Sequence, residues 1–354
     1  MQQEGAAKPG KAKKWLEESG GGDDSFSFFQ HGEGVERLLV AFDGSPGAIS
    51  AIEELKIAGL GKAGEARIIA VADAWSPPEA LNSEPELPEF MHETRAHARE
   101  RAASAAQDAE HVAAEGARLL RGQLPQWTVD AIGRADSPGW AVIEEARRWG
   151  ATHVAAGAQS HTRLERFFLG SVSQKIVSDA PCSVRISRPR RDHSANVRII
   201  VAYDGSLDAK AAVADVVGRE WPAGTQVRIV AVQEGELAEA AGKQSVAEWL
   251  KQSLDAAAET LRKQGVEAEF SLVKGGVRRS LLHMAEEWAA DVIFVGASGW
   301  RHQGRWRVGS VATSLAQRAP CSVEIIRAQR AGGTNAGGAA TSHGNAPGTP
   351  GVRG

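Results

Sequence analysis

The chain has 354 residues, with 41 lysines and arginines against 44 acidic residues and a formal net charge of −3. This length favours two domains, each with a core large enough to fold without disulfides, and the near-neutral charge gives no overall drive toward nucleic acid or an anionic membrane. The N-terminus has no signal-peptide core, and no apolar run approaches the roughly 18 residues of a membrane span, which predicts a soluble, cytoplasmic protein.

The chain has only two cysteines, Cys182 and Cys321, and each lies in the phrase APCSV. Two cysteines cannot form a disulfide framework or supply a cysteine zinc site. Each begins an apolar run after Ala-Pro, which is more typical of a small buried side chain than of a reactive thiol.

Two phrases recur in the same order in both halves of the chain. RLLVAFDGS at 37–45 returns as RIIVAYDGS at 198–206, and FLGSVSQKIVSDAPCSVRI at 168–186 returns as RVGSVATSLAQRAPCSVEI at 307–325. The repetition indicates a duplicated domain.

The repeat sets the predicted boundaries of the chain. We predict a disordered tail at 1–34, a first domain at 35–188, a linker at 189–196, a second domain at 197–328 and a disordered tail at 329–354. Both tails lack the apolar residues that would repay the entropy of ordering.

Apolar runs alternate with helical patterns in both copies. The first copy predicts strands at 37–42, 66–72, 127–133, 152–157 and 182–187, with helices between them. The second predicts strands at 197–203, 226–233, 266–275, 291–296 and 321–326, and helices at 207–217, 245–265, 278–289 and 311–318. Regular alternation of this kind predicts an α/β fold of two tandem, doubly wound domains, each a five-stranded parallel sheet flanked by helices.

The first copy also carries a segment that the second lacks. Residues 75–95, WSPPEALNSEPELPEFMHETR, are rich in proline and acidic residues. Such a stretch predicts a surface loop or lid.

A glycine-rich, basic loop, VGASGWRHQGRWRVGSV at 295–311, joins the fourth strand of the second copy to the following helix. Gly296, Gly299 and Gly309 would let the backbone approach an anion, and the N–H groups of the helix that begins near Ser310 would favour a phosphate. The basic side chains of this loop could screen a polyphosphate; they are Arg301, His302, Arg305 and Arg307. Alternatively, the glycines only turn the chain and the serine only caps the helix. The loop is not a Walker A motif, because no Gly-Lys-Ser/Thr follows.

An aspartate ends the first strand of each copy, at Asp43 and at Asp204. Either could bind a ribose hydroxyl or a metal-bound water, since the first and fourth strands can lie side by side at the switch point where ligands bind. Either could instead be a turn or N-cap aspartate.

Together these motifs resemble the universal stress protein family, here as a tandem. The resemblance rests on strand-Asp-Gly-Ser, on Gly-x2-Gly-x9-Gly-Ser and on the Ala-Pro-Cys-x-Val last strand. It implies a five-stranded α/β domain of the adenine-nucleotide α-hydrolase type, which often binds ATP and pairs through its last strand. We therefore expect 182–187 to pair antiparallel with 321–326 inside this chain, with further dimerisation left open.

The resemblance also implies a set of nucleotide contacts in each copy. In the second copy they are Asp204, Val232, Gly296, Gly299, Gly309, Ser310 and Val311. In the first copy they are Asp43, Val71, Gly157, Gly170, Ser171, Val172 and Ser173.

Each copy departs once from the family pattern. Ser160 stands where the second glycine of the loop belongs in the first copy, and Ala312 replaces a Ser/Thr in the second, although Thr313 is adjacent. Backbone access is harder to replace than one hydroxyl, so we expect the second copy to hold the better nucleotide site.

The resemblance and these features together predict a stress-response sensor or regulator that binds ATP with Mg²⁺, with unidentified protein partners and no role in nucleic-acid or membrane binding. Two alternatives stay open: a scaffold that binds no nucleotide, and a slow ATPase. No general base or catalytic lysine is evident near the expected phosphates, which argues against fast chemistry.

Overall fold

The computed structural model describes residues 35–75, 89–158, 169–190, 196–233, 254–255, 257–299 and 308–328, together with residue 248. Its ten described strands form one continuous sheet in the order β3-β2-β1-β4-β5-β10-β9-β6-β7-β8. The α/β architecture predicted from the sequence is therefore confirmed.

In the first domain the described residues form five strands and four α-helices. They are β1 (Arg37–Ala41), α1 (Pro46–Glu54), β2 (Glu65–Asp73), α2 (Glu89–Gln123), β3 (Thr128–Asp136), α3 (Pro138–Trp149), β4 (His153–Gly157), α4 (Ser171–Asp179) and β5 (Ser183–Ser187). A short 3-10 helix, Leu55–Ile57, follows α1.

The second domain repeats this order. Its elements are β6 (Arg198–Ala202), α5 (Leu207–Gly218), β7 (Gln226–Gln233), β8 (Glu267–Lys274), α6 (Val277–Glu287), β9 (Val292–Gly296), α7 (Ser310–Arg318) and β10 (Ser322–Ile326). Residues 254–255 and 257–263 are also helical and lie before β8.

Within each domain all the strand pairs are parallel, and the first strand lies between the second and the fourth. Parallel neighbours need crossover helices, and the apolar cores of the strands are buried because those helices cover both faces of the sheet. The domains join where β5 pairs antiparallel with β10, with Arg185 opposite Glu324. This is the pairing expected from the sequence.

Three apolar clusters lie on the two faces of the sheet. One cluster covers the face of both domains that carries α3, α4, α6 and α7, and includes Val142, Ile176, Leu281 and Leu315. The other face has a separate cluster in each domain. One core layer is thus shared by the two domains, while the opposite layer is divided.

The sequence prediction of a loop over 75–95 is wrong for its last part, because α2 begins at Glu89. The reason lies further along the helix, where Ala109, Ala113 and Ala117 are buried against the sheet. That apolar stripe stabilises a helix long enough to run back past Arg95. Residues 76–88 of the segment lie outside the described part of the chain.

A buried ionic cluster lies at the junction of the domains. Arg219, just after α5, has a side chain only 3% exposed; it bonds to Glu324 of β10 and lies 2.6 Å from the Asp215 carboxylate. Its guanidinium also donates to the Ala58 carbonyl of the first domain at 2.8 Å and lies 3.5 Å from Nε2 of His153. Arg185 completes the cluster with a 2.7 Å bond to Glu324.

This cluster also bears on metal binding. His153, Asp215 and Glu324 bring potential ligand atoms within 4.8 Å of one another. Because the guanidinium of Arg219 contacts all three, the cation between them is the arginine itself. The arrangement is therefore an internal ion-pair network and not a metal centre.

Two further arginines tie the end of the first domain to the second. Arg188 donates to the Ala316 carbonyl at 2.5 Å, and its backbone N–H donates to the Ser322 hydroxyl at 3.0 Å. Arg190 holds the Asp291 carboxylate through two bonds of 2.9 and 3.2 Å. Part of the predicted linker is thus bound to the second domain.

Among the described helices, none combines the length and the apolarity that crossing a membrane would take.

Candidate functional site

The carboxyl ends of β6 and β9 lie side by side in the second domain, since Val201 is level with Phe294. This is the switch point of the strand order, where open α/β sheets bind their ligands. The first domain repeats the arrangement with β1 and β4.

Asp204 follows β6, and its position is fixed by the turn into α5. Its Oδ1 accepts a 2.9 Å bond from the backbone N–H of Ser206, whose hydroxyl in turn accepts from Ala209 N at 3.2 Å and caps the helix. Gly205 between them has a φ of 80°, a left-handed conformation that favours glycine. The turn role is therefore real, and it orients the carboxylate at the strand end.

The structure brings Asp204 next to Gly299 and Gly309. A Cβ added at Gly299 would lie 3.0 Å from Oδ2 of Asp204, and a Cβ added at Gly309 would lie 3.9 Å from the backbone N of Gly299. Glycine at 299 thus keeps the backbone bare beside the carboxylate. A serine there would crowd it.

Gly296 packs closely against a neighbouring helix. A Cβ at this position would lie 2.8 Å from the backbone N of Ala209 in the first turn of α5. Gly157 is similar, because its Cβ would lie 2.5 Å from the carbonyl oxygen of Gly47 in α1. These two glycines allow the fourth strand to pack closely against the helix that follows the first strand.

The helices that follow the glycine loops have open N-termini. The cap residues Gly170 and Gly309 offer no side-chain hydrogen bond, whereas α1 and α5 are capped by serines. The first backbone hydrogen bond of α7 runs from Thr313 N to the Gly309 carbonyl. The N–H groups of Ser310, Val311 and Ala312 therefore have no acceptor within the helix. In α4 the corresponding groups belong to Ser171, Val172 and Ser173.

Ser173 and Ala312 occupy the same place in the two domains, and both are buried. The Ser173 hydroxyl donates to the Gly157 carbonyl at 2.9 Å. In the first domain this hydroxyl is thus hydrogen-bonded to the protein backbone, and the second domain has no equivalent bond because Ala312 has no hydroxyl.

Val232 lies where β7 extends beyond its neighbour. The last bond toward β6 is from Tyr203 N to the Val230 carbonyl, at 2.9 Å, and Val232 is the next residue whose backbone faces that side. Val71 is placed in the same way in β2, after the 3.0 Å bond from Phe42 N to Ile69 O. Each of these valines thus turns its N–H and carbonyl toward the side of the first strand, beyond the last hydrogen bond to that strand.

Tyr203, the residue before Asp204, is buried and takes no part in proton transfer at the site. Tyr203 is buried in the core of the second domain, and burial, helped by the charge of Asp204, raises the pKa of its phenol to about 12. The phenol therefore stays neutral.

Burial also raises the pKa of the Cys182 thiol to about 12, although the positive charge of Arg327 acts to lower it. The thiol therefore stays protonated, which favours the interpretation of Cys182 as an unreactive side chain.

Sequence reasoning missed Asp208, which organises the loop of the second domain. Its Oδ2 accepts from both the backbone N–H and the hydroxyl of Ser298, at 2.8 and 2.5 Å, and its Oδ1 accepts from Ala328 N at 3.0 Å. An acidic residue in the first turn of a helix was visible in the sequence, but there it indicates only a favourable dipole interaction. Gly47 stands at this position in the first domain, so that domain lacks the carboxylate.

Several expected groups fall on residues that the structure does not describe. Ser160 and the basic side chains at 301–307 lie outside the described ranges.

Comparison with known proteins gives consistent results. The model of the Universal stress protein family matches residues 34–188 and 196–327. A Staphylococcus aureus (strain USA300) protein whose name assigns it to the universal stress proteins is 28% identical over 139 residues, which are 37% of this chain and 84% of that protein.

Solved structures share the fold of the whole tandem. A universal stress protein from Archaeoglobus fulgidus DSM 4304 is 19% identical and superimposes with a TM-score of 0.54, covering 83% of this chain and 98% of its own. A functionally unknown protein from Pseudomonas aeruginosa PAO1 is 14% identical, with a TM-score of 0.50, covering 86% of this chain and 94% of its own.

Proposed function

Because the chain belongs to the universal stress protein family, with both domains matched, we propose that it binds ATP and acts as a sensor or regulator in a stress response. The observation that carries the proposal is the convergence of Asp204, Gly299 and the open N-terminus of α7 at the switch point of the second domain. A carboxylate suits a ribose, bare backbone suits a close approach, and unpaired N–H groups suit phosphate.

The residues present fit the parts of an adenine nucleotide. The backbone of Val232 would bind the adenine edge, Asp204 the ribose hydroxyls, and the N–H groups of Ser310 and Val311 the phosphates. Mg²⁺ would be held mainly by the phosphates and water, as is usual for this ion, and it would neutralise part of the phosphate charge.

The second domain supports the stronger site. Asp208 fixes the first residues of its loop through Ser298, whereas Gly47 leaves the first domain without that tie. A loop already held in place loses less entropy when ligand binds. We therefore propose that the second domain binds ATP more tightly than the first, which is also the order expected from Ser160 in the loop of the first domain.

The test exchanges the differing loop residue between the domains. Gly299→Ser should weaken Mg·ATP binding about tenfold or more in isothermal titration calorimetry, because the new Cβ crowds the Asp204 carboxylate. Asp204→Ala should weaken it as well. Ser160→Gly is the matched control, since it should leave the second site unchanged and strengthen any binding by the first.

ATP titration, together with assays for released nucleotide and for phosphate, distinguishes this proposal from the two alternatives. A scaffold that binds no nucleotide predicts neither heat of binding nor a thermal shift with ATP, and no adenine nucleotide released from the purified protein. A slow ATPase predicts phosphate release that is lost when a bulky residue replaces Gly309. Unchanged ATP affinity in Asp204→Ala would show that the site assignment is wrong.

A further inference from the structure

The duplication allows each side chain to be compared with its counterpart in the other domain. The two domains differ in the space between one helix, α3 in the first domain and α6 in the second, and the strands beside it. In the first domain this place holds Glu145 of α3, whose side chain is fully buried. Its carboxylate is bound by Arg67, Arg134 and Arg148 at 2.7, 2.7 and 2.5 Å. The space is filled by a carboxylate and its cations.

The second domain lacks that carboxylate. Met284 occupies the position of Glu145, and Val273 and Glu287 stand where Arg134 and Arg148 are. A cavity of about 400 Å³ lies here, between α6 and the strands β7 and β8. This volume is within the range of small-molecule sites.

Arg228, the counterpart of Arg67, is retained in the cavity wall. Arg67 contacts two carboxylates, Asp130 and Glu145, but Arg228 is paired among the described residues only with Glu269. Both guanidinium groups lie over a tryptophan, with Arg228 4.1 Å from the ring centre of Trp288. The cation is therefore held in place by an aromatic ring, while the inner carboxylate of the first domain is missing.

The other residues that line the cavity indicate which kind of ligand would fit. Met284 and Val273 give an apolar surface, and Ser280 supplies a hydroxyl. Two acidic side chains are largely exposed to water: Glu287, which lines the cavity, is 67% exposed, and Glu269, the partner of Arg228, is 57% exposed. Glu287 is also paired with His283, at 3.3 Å.

We propose that this cavity binds a small organic acid, whose carboxylate takes the place of the missing glutamate on Arg228 and whose apolar body packs against Met284 and Val273. Guanidinium and carboxylate form strong paired hydrogen bonds, and the partly enclosed position limits screening by water. None of the residues that line the cavity is among those proposed to contact the nucleotide, although Val273 is the β8 partner of Val232. The proposal does not rest on nucleotide binding.

The experiment uses benzoate as the probe and benzamide as its neutral match, titrated into the full chain and followed by calorimetry and ligand-observed NMR. We expect benzoate to saturate one site per chain and benzamide to bind about tenfold more weakly or worse, because it cannot form the charged pair. Arg228→Gln should weaken benzoate by a similar factor. Arg279→Gln, at an exposed arginine on α6 outside the cavity, is the matched control and should bind as the wild type does.

A second set of variants rebuilds the first domain's arrangement in the second. Met284→Glu supplies an internal carboxylate and should abolish benzoate binding while the circular dichroism spectrum is retained. If this variant does not fold, the combination Val273→Arg, Met284→Glu and Glu287→Arg transplants the whole cluster and makes the same prediction. Absence of saturable benzoate binding to the wild type, or equal binding by these variants, would overturn the proposal.

Discussion

Replacing Arg219 with methionine tests whether the ionic cluster holds the two domains together. The variant keeps much of the apolar stem but removes the charge that lies between Asp215 and Glu324. Asp215 then loses its 2.6 Å partner, Glu324 loses one of its two arginine partners and keeps Arg185, and the Ala58 carbonyl loses its donor across the domain junction. Because the Arg219 side chain is only 3% exposed, water cannot replace these contacts without structural change.

Breaking a buried ion pair by removing one partner typically costs about 3–5 kcal/mol, most of it from the charge left behind. We expect a loss near the middle of that range in the free energy of unfolding, measured by urea denaturation. Lys62→Met is the control, because its pair with Glu220 spans 3.6 Å between side chains that are 77% and 61% exposed. That change should stay within about 0.5 kcal/mol.

A double variant identifies the cause of the loss. If an unpaired carboxylate is responsible, adding Asp215→Asn to Arg219→Met should recover part of the stability. A loss below about 1 kcal/mol for Arg219→Met, or a double variant that is additively worse, would refute the reasoning.

The cluster also predicts how stability depends on acid. Burial alone would raise the pKa of Glu324, but Arg219 and Arg185 outweigh it and lower the pKa to about 2. A folded pKa below the unfolded value of about 4.3 stabilises the protein above that pH, and this contribution is lost as the pH falls toward 2. Removing Arg219 should therefore move acid unfolding to higher pH.

Three further changes have definite signs. Ala289 follows α6 with a left-handed φ of 49°, and Gly150, its counterpart after α3, has a φ of 69°. In urea denaturation, Ala289→Gly should raise the free energy of unfolding by about 1 kcal/mol, and Gly150→Ala should lower it by a similar amount. Burial raises the pKa of Glu54 to about 7 against the opposing charges of Arg185 and Arg190, so wild-type stability should fall as pH rises from about 4.3 to 7, and Glu54→Gln should remove that slope. Gly296→Ala places a Cβ 2.8 Å from helix backbone and should lower the thermal midpoint; an unchanged midpoint would contradict the close-packing role.

The sequence predicted the repeating part of the fold well, because both copies carry the same signals. Apolar runs located the strands to within a few residues, and the family resemblance led to the expected pairing of β5 with β10. Asp43 and Asp204 were correctly placed at strand ends, where each binds the N–H of the serine two residues on.

Interactions that join distant, unlike residues could not be predicted in this way. Arg219 and Glu324 are 105 residues apart, and Arg219 belongs to neither of the repeated phrases. Asp208 is similar, because its bonds reach Ser298 after β9 and Ala328 after β10, both far away in the sequence. The close-packing role of Gly296 also needed three-dimensional neighbours, since a glycine after a strand is equally typical of ligand binding.

The antiparallel junction of β5 and β10 reverses the direction of one domain relative to the other. The carboxyl ends of β1 and β4 therefore lie along one margin of the ten-stranded sheet, and those of β6 and β9 along the opposite margin. Ligands at the two switch points would face away from each other and could not touch. Two such ligands could influence each other only indirectly, and the β5–β10 junction and the core layer common to both halves are the parts of the fold that lie between them.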